Sequence, residues 1–504
     1  MITLPQKCLL ACVLLISVGA LQAQPLPRPA AIEPAIDFWT RIYTQIPVDQ
    51  GLIHDSNRTL QVLGHIEVAE PGNWQQRRVQ VNAALERYRQ ALTGLAEQNG
   101  QPRSALQSQI MRQLPADPDA EALLALADRL RFQGGLRERF RESVERSGRW
   151  REHMRAVLER YEIPNELMAL PHVESSFNPK ARSHAGAAGL WQFTVGTGRR
   201  FMRIDPVVDE RLDPWRSTEA AAQLLAHNYA QIGHWPLAIT AYNHGLNGMR
   251  RAVKTLGSSD YVTIYRHYEG RRFGFASRNF YPSLLAAAAV DANAQAYFPG
   301  VEREASRIAT TIRLPHFTPV KTLTDAPGID AEVLEGLNLA LGPAVWDGRK
   351  FIPRDYPLRV PSAEAAAWAK TVSRLPGARL YQAQRPDVRH AIEVGDTLST
   401  IAQRYAVSLE ALMARNNIAD AHRIRAGQTL DLPVAGAMPS PVGGQRYEVR
   451  PGDTLGAIAL SHGIDEQRLA ALNQLDNPDR LRVGQRLLID PASAVAVVES
   501  ASEP

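Results

Sequence analysis

The chain has 504 residues, of which 45% are hydrophobic and 22% charged, and its formal net charge at pH 7 is +5. This length exceeds that of one ordinary domain, so we expect two to four domains. After the first 23 residues no stretch approaches the ~20 apolar residues of a membrane span, which excludes a multi-span membrane protein. The positive charge suits an anionic partner, and nucleic acid and the bacterial cell wall are two candidates.

The first 23 residues have the pattern of a secretory signal peptide. Lys7 precedes an apolar run from Cys8 to Ala20, and Ala23 is the small residue that a signal peptidase favours. An uncleaved N-terminal anchor is the alternative, because Leu21 is a poor residue three positions before the cut. A short lipoprotein-like box ends at Cys12, but few apolar residues precede it. We therefore expect no lipid anchor, and membrane association stays open.

Both cysteines of the chain lie inside this predicted signal segment. The exported protein would have no disulfide and would rely on its core for stability. Export also makes the anionic cell wall a better partner than nucleic acid, and we expect no nucleic-acid binding.

Residues 24–150 predict a helical N-terminal region. Pro25 to Pro34 is a proline-rich segment, for which we expect an extended, mobile linker. Val79 to Leu95 and Ala120 to Phe140 carry apolar residues at spacings of three and four, which predicts two amphipathic helices. We interpret this region as a helical scaffold without chemistry of its own.

Residues 151–300 predict a helix-rich catalytic domain. The apolar segment Tyr281 to Ala292 is expected to be a buried core helix, because it is too short to span a membrane. The other helices are predicted at Trp150–Tyr161, Asn165–Phe177, Thr218–Ile232 and Trp235–Asn243.

Glu174 is the most informative residue of this domain. The segment Pro164 to Phe177 is predicted as one helix, kinked at Pro171, with Glu174 on the same face as apolar leucines. Burial and the negative end of the helix dipole both raise the pKa of such a carboxyl, which suits a general acid near neutral pH. The alternative is a structural ion pair with Arg182 or another basic neighbour.

The surroundings of Glu174 predict a reaction that uses one carboxylate, whereas most glycosidases use two. No Asp or Glu occurs between Glu174 and Asp205, and the cluster Asp205, Asp209, Glu210 and Asp213 is interpreted as a solvated loop with helix caps. The histidines lack paired ligand spacing, so we expect neither a metal nor another cofactor.

Three ordered motifs carry a family resemblance. They are Glu174-Ser175-Ser176-Phe177-Asn178-Pro179, the stretch from Ser183 through Gly186 to Phe193, and Ala241-Tyr242-Asn243-His244-Gly245. This set resembles the catalytic domain of lytic murein transglycosylases, relatives of goose-type lysozyme that cleave bacterial peptidoglycan. Phe38-Trp39 and Ile53-His54-Asp55 are similar to the branch of that family with C-terminal LysM modules.

The resemblance implies roles for the matching residues. Glu174 would be the acid and base that cleaves the bond between N-acetylmuramic acid and N-acetylglucosamine and forms a 1,6-anhydro product. Ser183 and Tyr242 would orient the substrate acetamido group and Glu174, and Asn243 would hydrogen-bond near the reacting sugar. Supporting roles fall to Gly186 and Gly189, which let the backbone approach the glycan, and to Gln192, which would hold that loop or contact the sugar.

Each of these roles has a structural alternative, and two positions depart from the family pattern. Asn243-His244-Gly245 could be a plain helix C-cap. His244 stands where many relatives have alanine. A later family motif with glutamate, arginine and tyrosine corresponds to Ala276–Pro282, where the glutamate is missing and the tyrosine is Phe280, or is displaced to Tyr281. A polar contact from that motif is therefore in question.

Residues 301–385 form a connecting region with predicted strands at Ile308–Ile312 and Tyr356–Val360. Leu337-Asn338, followed by Ile352-Pro353 and Leu358–Pro361, resembles the second half of a decayed LysM unit.

The C-terminal part contains an internal repeat. Gly395-Asp396-Thr397-Leu398 recurs 57 residues later as Gly452-Asp453-Thr454-Leu455. Residues 386–434 and 445–490 would each fold as strand, helix, helix and strand, and both resemble LysM modules, which bind N-acetylglucosamine-containing glycans. The resemblance makes Asp396, Thr397, Asp453 and Thr454 candidate glycan-binding residues. The alternative is a generic structural repeat, and residues 491–504 are expected to be a frayed tail.

The predicted fold class is multidomain. A mainly α lysozyme-like catalytic domain with a helical N-terminal region is followed by small α+β modules with βααβ order. The predicted function is an exported peptidoglycan lytic transglycosylase, a carbon–oxygen lyase of the periplasm or cell envelope. A hydrolytic lysozyme with the same acid and a non-catalytic wall-binding scaffold are the two alternatives.

Overall fold

The computed structural model describes most of the chain after residue 24 and groups it into two compact units. The described ranges are 25–115, 118–405, 407–433, 442, 445–462, 466–473, 475, 477, 481–489 and 497–498. The first unit consists of the residues up to Ser147 together with Arg151–Ser176 and Ala221–Arg303. The second unit consists of Gly148–Trp150, Phe177–Ala220 and the residues from Glu304 onward. The predicted signal peptide and both cysteines lie outside the described residues.

Helices dominate the chain up to residue 303. They are α1 (Glu33–Thr44), α2 (Trp74–Glu97), α3 (Ala105–Gln113), α4 (Ala120–Asp128), α5 (Arg137–Ser147), α6 (Arg151–Arg160), α7 (Leu170–Ser175), α8 (Val195–Gly198), α9 (Pro214–Ile232), α10 (Trp235–His244), α11 (Leu246–Leu256), α12 (Tyr261–His267), α13 (Phe275–Ala292) and α14 (Ala294–Tyr297). Short 3₁₀ turns cover Ala30–Ile32, Asn165–Ala169 and Glu210–Leu212. None of the helices in the described ranges combines the length and the apolar content that a membrane crossing needs.

The N-terminal region also contains a three-stranded antiparallel sheet that the sequence patterns did not indicate. Its strands are β1 (Gln50–Asp55), β2 (Val62–Glu67) and β3 (Leu130–Gly134), in the order β2-β1-β3. The prediction of one helix from Ala120 to Phe140 was therefore wrong in its second half, because β3 lies between α4 and α5. The cause is long-range pairing: Gly51 on β1 faces Gly134 on β3, and the missing side chain of Gly51 leaves room for the ring of Phe132.

The proline-rich segment at the start of the described chain is bound to the first unit, so the prediction of a mobile linker was wrong. Leu26 is buried, and its backbone N–H donates to Glu166 Oε1 at 3.1 Å. Tyr281 Oη donates to the carbonyl oxygen of Pro27 at 2.5 Å. In each of these contacts the two partners are more than one hundred residues apart in the chain, so the composition of the segment could not predict them.

The helix predicted over residues 164–177 is made of two pieces. The 3₁₀ turn Asn165–Ala169 ends where α7 begins at Leu170, and Pro171 occupies the first turn of α7. A proline costs little there, because the first N–H groups of a helix have no intrahelical partner. The kink expected at Pro171 is therefore the junction between a 3₁₀ turn and an α-helix. Helix α7 ends at Ser175, and the next residue, Ser176, caps it in the left-handed conformation with φ 51°.

Helix α13 is the central core helix of the first unit. Twelve of its residues are buried, and α1 packs along it. It begins at Phe275, six residues before the predicted start. The extra residues include Ser277 and Asn279, which are buried polar residues of this helix.

The remaining elements lie in the second unit. The helices are α15 (Val320–Thr324), α16 (Ala331–Leu337), α17 (Pro343–Trp346), α18 (Ala365–Ser373), α19 (Leu398–Arg404), α20 (Leu409–Arg415), α21 (Leu455–Ser461) and α22 (Glu466–Leu472), with 3₁₀ turns at Ser362–Glu364 and Gly377–Arg379. The strands are β4 (Ala309–Arg313), β5 (Pro357–Pro361), β6 (Arg389–Ala391), β7 (Thr429–Asp431), β8 (Gln445–Glu448), β9 (Arg486–Ile489) and β10 (Val497–Val498).

The two repeats have the predicted strand, helix, helix, strand order. Strand β6 pairs antiparallel with β7, and β8 pairs in the same way with β9. In the first module Asn416 joins the second helix to the last strand. Its Nδ2 donates to the carbonyl oxygens of Leu412 and Asp431, and its Oδ1 accepts from the N–H of Asp431.

The connecting region has a related arrangement, with three helices between its two strands and without the Gly-Asp turn. Strands β4 and β5 pair antiparallel on either side of α15–α17. Asn338 makes the contacts that Asn416 makes: Nδ2 donates to Leu334 and Arg359 carbonyl oxygens, and Oδ1 accepts from the N–H of Arg359. This shared network supports the hypothesis of a degenerate LysM unit, which stays a prediction. Strand β10 pairs with β4, so Val497 and Val498 at least are not frayed.

Candidate active site and glycan-binding modules

Glu174 lies in the last turn of α7 and is half-buried. Burial raises the pKa of its carboxyl to about 8. Among the residues that the structure describes, no basic side chain forms an ion pair with Glu174, whereas Arg182 lies 3.6 Å from Asp209. The structural ion pair considered as an alternative is thus absent from the described residues. A carboxyl with this pKa is largely protonated at neutral pH and can donate a proton.

A buried polar network joins α7 to neighbouring helices of the first unit. His172, two residues before Glu174, hydrogen-bonds through Nδ1 to Ser143 Oγ at 2.5 Å and through Nε2 to Asp291 at 3.1 Å. Burial would raise the pKa of Asp291, but the hydrogen bond from His172 and the charges of Arg151 and Arg303 hold it well below its usual range. Helices α5 and α13 therefore position the short helix that carries Glu174, and Arg151 of α6 binds Asp291 in turn.

Tyr242 lies near the C-terminal end of α10, on the same unit as Glu174. Burial, and then the nearby charge of Glu174, raises the pKa of the Tyr242 hydroxyl well above its usual value, so the phenol stays protonated. Its ring is almost parallel to that of Phe280, with 6.5 Å between centroids. The structure thus brings Glu174 and Tyr242 into electrostatic contact, as the resemblance implies.

Asn243 is held by a hydroxyl that the sequence did not single out. Ser277 Oγ on α13 donates to Asn243 Oδ1 at 3.0 Å and lies 3.2 Å from His244 Nδ1. The His244 ring lies over Gly248, where a β-carbon would be 2.4 Å from the ring, and meets Phe273 edge-on. Ser277 therefore supplies a polar contact from the segment that lacks the family's glutamate. Gly245 caps α10 with φ 85°, so the cap interpretation also holds.

The other predicted residues of the catalytic domain lie in one loop of the second unit. Ser183 Oγ accepts from the N–H of Ala187 at 3.0 Å, and Gln192 Nε2 donates to the carbonyl oxygen of Gly189 at 2.8 Å. Gly186 and Gly189 have φ of 77° and 83°, and a β-carbon on Gly189 would lie 1.7 Å from a backbone oxygen. Gln192 thus holds this loop, which is one of its two predicted roles.

Arg211 is a further loop residue that the motif did not indicate. It is buried, and its Nη1 donates to the carbonyl oxygens of Gly186 and Phe193, at 2.7 and 3.0 Å. Asp209 accepts from the same guanidinium at 2.9 Å. Arg211 therefore fixes both ends of the glycine-containing loop.

The acidic cluster after this loop is mostly structural. Asp205 accepts from the N–H groups of Val207 and Val208. Burial acts to raise its pKa, but the hydrogen bond from Arg203 and these two backbone bonds hold the pKa below the usual value. Asp213 is buried and pairs with Arg359 at 2.9 Å, so the prediction of a solvated loop was wrong at this position.

The four predicted LysM residues surround the start of the first helix in each module. Thr397 and Thr454 are the N-caps of α19 and α21. Asp396 accepts from the N–H of Glu393 at 2.9 Å and from His390 Nε2 at 2.8 Å. Asp453 accepts from the N–H of Arg450 and from Tyr447 Oη, both at 2.7 Å. These contacts hold the turn of each module, and glycan binding by these residues stays a prediction.

Comparison with known families agrees with this arrangement. A family model described as the transglycosylase SLT domain matches residues 153–264, and the LysM domain model matches residues 390–433 and 447–490. The chain contains a transglycosylase SLT domain and two LysM domains. The predicted family, the lysozyme-like helical fold class and the enzyme class are thereby confirmed.

Several proteins resemble this SLT-type chain. Membrane-bound lytic murein transglycosylase D of Escherichia coli (strain K12) is 28% identical over 386 residues, which cover 69% of this chain and 81% of that protein. The secreted LysM effector ECP6 of Passalora fulva is 31% identical over 101 residues, 20% of this chain and 44% of that protein. The solved 70 kDa soluble lytic transglycosylase SLT70 of Escherichia coli shares 20% identity over 45% of this chain and 46% of that chain, with a TM-score of 0.24. This chain therefore spans less than half of that solved structure.

Proposed function

We propose that the protein is an exported lytic transglycosylase that cleaves peptidoglycan between N-acetylmuramic acid and N-acetylglucosamine and leaves a 1,6-anhydro-muramic end. The observation that carries this proposal is the state of Glu174. Burial raises the pKa of its carboxyl group to about 8. An acid that is protonated at neutral pH and becomes a base after donating can perform both halves of such a reaction.

In the first step Glu174 donates its proton to the glycosidic oxygen, and the N-acetylglucosamine side leaves with that oxygen as a hydroxyl. The acetamido carbonyl of the muramic sugar stabilises the electron-poor C1. Glu174, now a carboxylate, then takes the proton of the C6 hydroxyl of the same sugar. The C6 oxygen attacks C1 and closes the anhydro ring, so no water is consumed and Glu174 ends protonated.

Supporting roles follow from the resemblance and from the contacts of the first unit. Tyr242 would donate from a hydroxyl that stays protonated, because its pKa is raised by burial and by Glu174. The Oδ1 atom of Asn243 accepts a hydrogen bond from Ser277, so Asn243 would present its Nδ2 group to the sugar. Ser183 would orient the acetamido group. Gly186 and Gly189 have positive φ, which favours glycine, and without side chains they would let the glycan approach the backbone.

The LysM domains would hold the enzyme on N-acetylglucosamine-containing strands. Two weak sites on one chain raise the apparent affinity for a polymer when both reach it. The net charge of +5 adds attraction to an anionic wall.

Mass spectrometry of purified sacculi digested with the protein tests the reaction. The proposal expects muropeptides lighter by one water than the hydrolytic products. Products of hydrolytic mass would make the protein a lysozyme that uses the same acid, and no release of fragments would leave only a wall-binding scaffold. N-terminal sequencing of the protein purified from its host tests export, for which we expect a mature chain that begins at Gln24.

A further inference from the structure

A small pocket with unusual side chains lies in the N-terminal region, outside the residues that the transglycosylase reaction uses. Its volume is about 160 Å³, and it opens between the start of α2, the end of β3 and the start of α5. Trp74, Arg77, Gln133, Gly134 and Arg139 line it, together with apolar neighbours. All of these residues belong to the first unit.

The aromatic wall of the pocket is open to solvent. Trp74 is 64% exposed, the highest exposure of any aromatic side chain among the described residues, and no described ring packs against it. An exposed tryptophan offers a flat apolar face with a polar N–H, which is suited to stacking on aliphatic or sugar carbons.

Two guanidinium groups face the same space. Arg77 Nη1 donates to the carbonyl oxygens of Val48 and Ala69 at 2.7 and 2.9 Å, which fixes the position of this side chain. Arg139 forms no ion pair or hydrogen bond with another residue in the described ranges. Burial, and then the neighbouring charge of Arg139, lowers the pKa of Arg77. Two positive charges that line the same pocket favour the binding of an anion between them.

Gly134 keeps the pocket open. A β-carbon there would lie 2.7 Å from Arg77 Nη2, so any side chain would cover the guanidinium from the sheet side. The acid that acts most on Arg77 is Asp49, which is exposed and does not line the pocket. The cationic groups of the pocket thus have no carboxylate among its lining residues.

We infer that this pocket is a further binding site for peptidoglycan, which takes a carboxylate of the peptide stem between Arg77 and Arg139 while Trp74 packs on the adjacent carbons. The inference rests on the proposed substrate. Peptide stems carry free carboxylates, whereas the glycan backbone that LysM domains bind is largely neutral. A pocket smaller than the ~300 Å³ of a small-molecule site fits an end group of a stem and not a disaccharide.

The test measures binding of the full chain on a Glu174→Gln background, so that strands are bound and not cut. Three ligands are titrated: soluble strands with stems, strands from which an amidase has removed the stems, and strands whose stem carboxylates are amidated. Arg139→Gln and Trp74→Ala are expected to weaken binding of the stem-bearing strands about tenfold. Binding of the other two ligands should not change.

Matched controls lie on the same helices. Arg141→Gln removes the same charge from α5 outside the pocket, and Val79→Ala removes an exposed apolar side chain from α2. Both should bind all three ligands as the parent does. Thermal melting checks folding, and because Trp74 is exposed its variant remains informative even if Arg139→Gln melts early.

Three outcomes would overturn the inference. Arg139→Gln and Trp74→Ala could bind like their controls, or they could lose affinity equally for strands without stems, which would mean recognition of sugar. Alternatively, inorganic phosphate could displace the stem-bearing strands where acetate does not, which would assign the pocket to a phosphate source. None of these outcomes depends on the anhydro product, so a failure of the proposed reaction is separately visible.

Discussion

Two kinds of carboxyl group in this chain show how environment separates chemistry from structure. Glu174 has a pKa raised by burial to about 8 and no ion pair among the described residues. Asp396 in the first LysM module is also enclosed, but it accepts hydrogen bonds from a backbone N–H and from His390, and Arg404 lies 3.2 Å away. The bond from Glu393 N–H is the main cause that lowers the pKa of Asp396.

The difference lies in the donors that surround each carboxyl. Hydrogen-bond donors stabilise the charged carboxylate, and the group then helps to hold the fold. Burial without such donors favours the protonated carboxylic acid, whose proton is available for transfer. Asp453 in the second module repeats the Asp396 pattern, with Arg450 N–H and Tyr447 Oη as donors and a lowered pKa. We therefore expect substitutions of Glu174 to change chemistry and substitutions of Asp396 to change stability.

The largest expected effect comes from Glu174→Gln. The amide keeps the shape but cannot transfer a proton, so turnover of soluble strands should fall at least ~100-fold. Glu159→Gln, on the exposed side of α6, is the matched control and should keep full activity. Turnover is measured by release of anhydro-muropeptides, with thermal melting as the check of folding. Comparable rates for both variants would remove Glu174 from the mechanism.

The pH dependence should show the raised pKa of Glu174 in both rate and stability. The reaction starts from the protonated acid, so kcat/KM should stay level from mildly acidic to neutral pH and fall about tenfold per pH unit above about 8. Between the ordinary value of 4.5 and about 8 the folded state binds a proton that the unfolded state does not. The free energy of unfolding should therefore fall as pH rises through this window.

Glu174→Gln is the control for this stability effect, because its amide does not titrate. Thermal melting of the wild type and of Glu174→Gln from about pH 5 to about pH 9 should show the wild type losing stability relative to the variant. Parallel stability curves, or a rate that keeps rising to about pH 9, would mean that Glu174 is not a protonated acid in the free enzyme.

A smaller effect is expected from Ser277, which would act on the proposed reaction through Asn243 and does not itself contact the sugar in this proposal. Ser277→Ala removes the hydroxyl that holds Asn243 Oδ1, so kcat should fall by about tenfold with little change in KM. Ser277→Thr keeps the hydroxyl and should restore most of the rate. Ser283→Ala removes another buried hydroxyl from α13, which donates to Phe280 O and also hydrogen-bonds Tyr43 but does not contact Asn243, and it should leave kcat unchanged. Equal losses in Ser277→Ala and Ser283→Ala would indicate a general effect on α13.

Local patterns predicted the features that depend on local chemistry. The Gly-Asp-Thr-Leu repeat identified both LysM modules, which the family comparison confirms. Glu174 was singled out from its place on an apolar helix face, and the structure places it there without an ion pair among the described residues, while its catalytic role stays a prediction. The missed features depend on contacts distant in sequence. The partner Asp291 lies 119 residues from His172, and β3 forms because its backbone pairs with β1. Ser277 could have been suspected, since it lies beside the missing glutamate of the family motif.

The smallest expected effect is Asp396→Asn, and it decides whether the LysM aspartates are structural. Loss of the charged acceptor should lower the stability of the first module by about 1 kcal/mol at neutral pH, because the hydrogen bonds from Glu393 N–H and His390 are weakened. Since the pKa of Asp396 is lowered, this contribution is present above its ordinary pKa of 3.8 and is lost as pH falls below it. Asp453→Asn is the comparison in the second module, where Tyr447 and Arg450 N–H are the donors. Thermal melting is measured beside affinity for chitin oligomers. A variant that keeps its stability but loses glycan affinity would show that Asp396 contacts the sugar directly. Asp396 would then be a binding residue, and the contrast with Glu174 would no longer be one between a structural and a chemical carboxyl group.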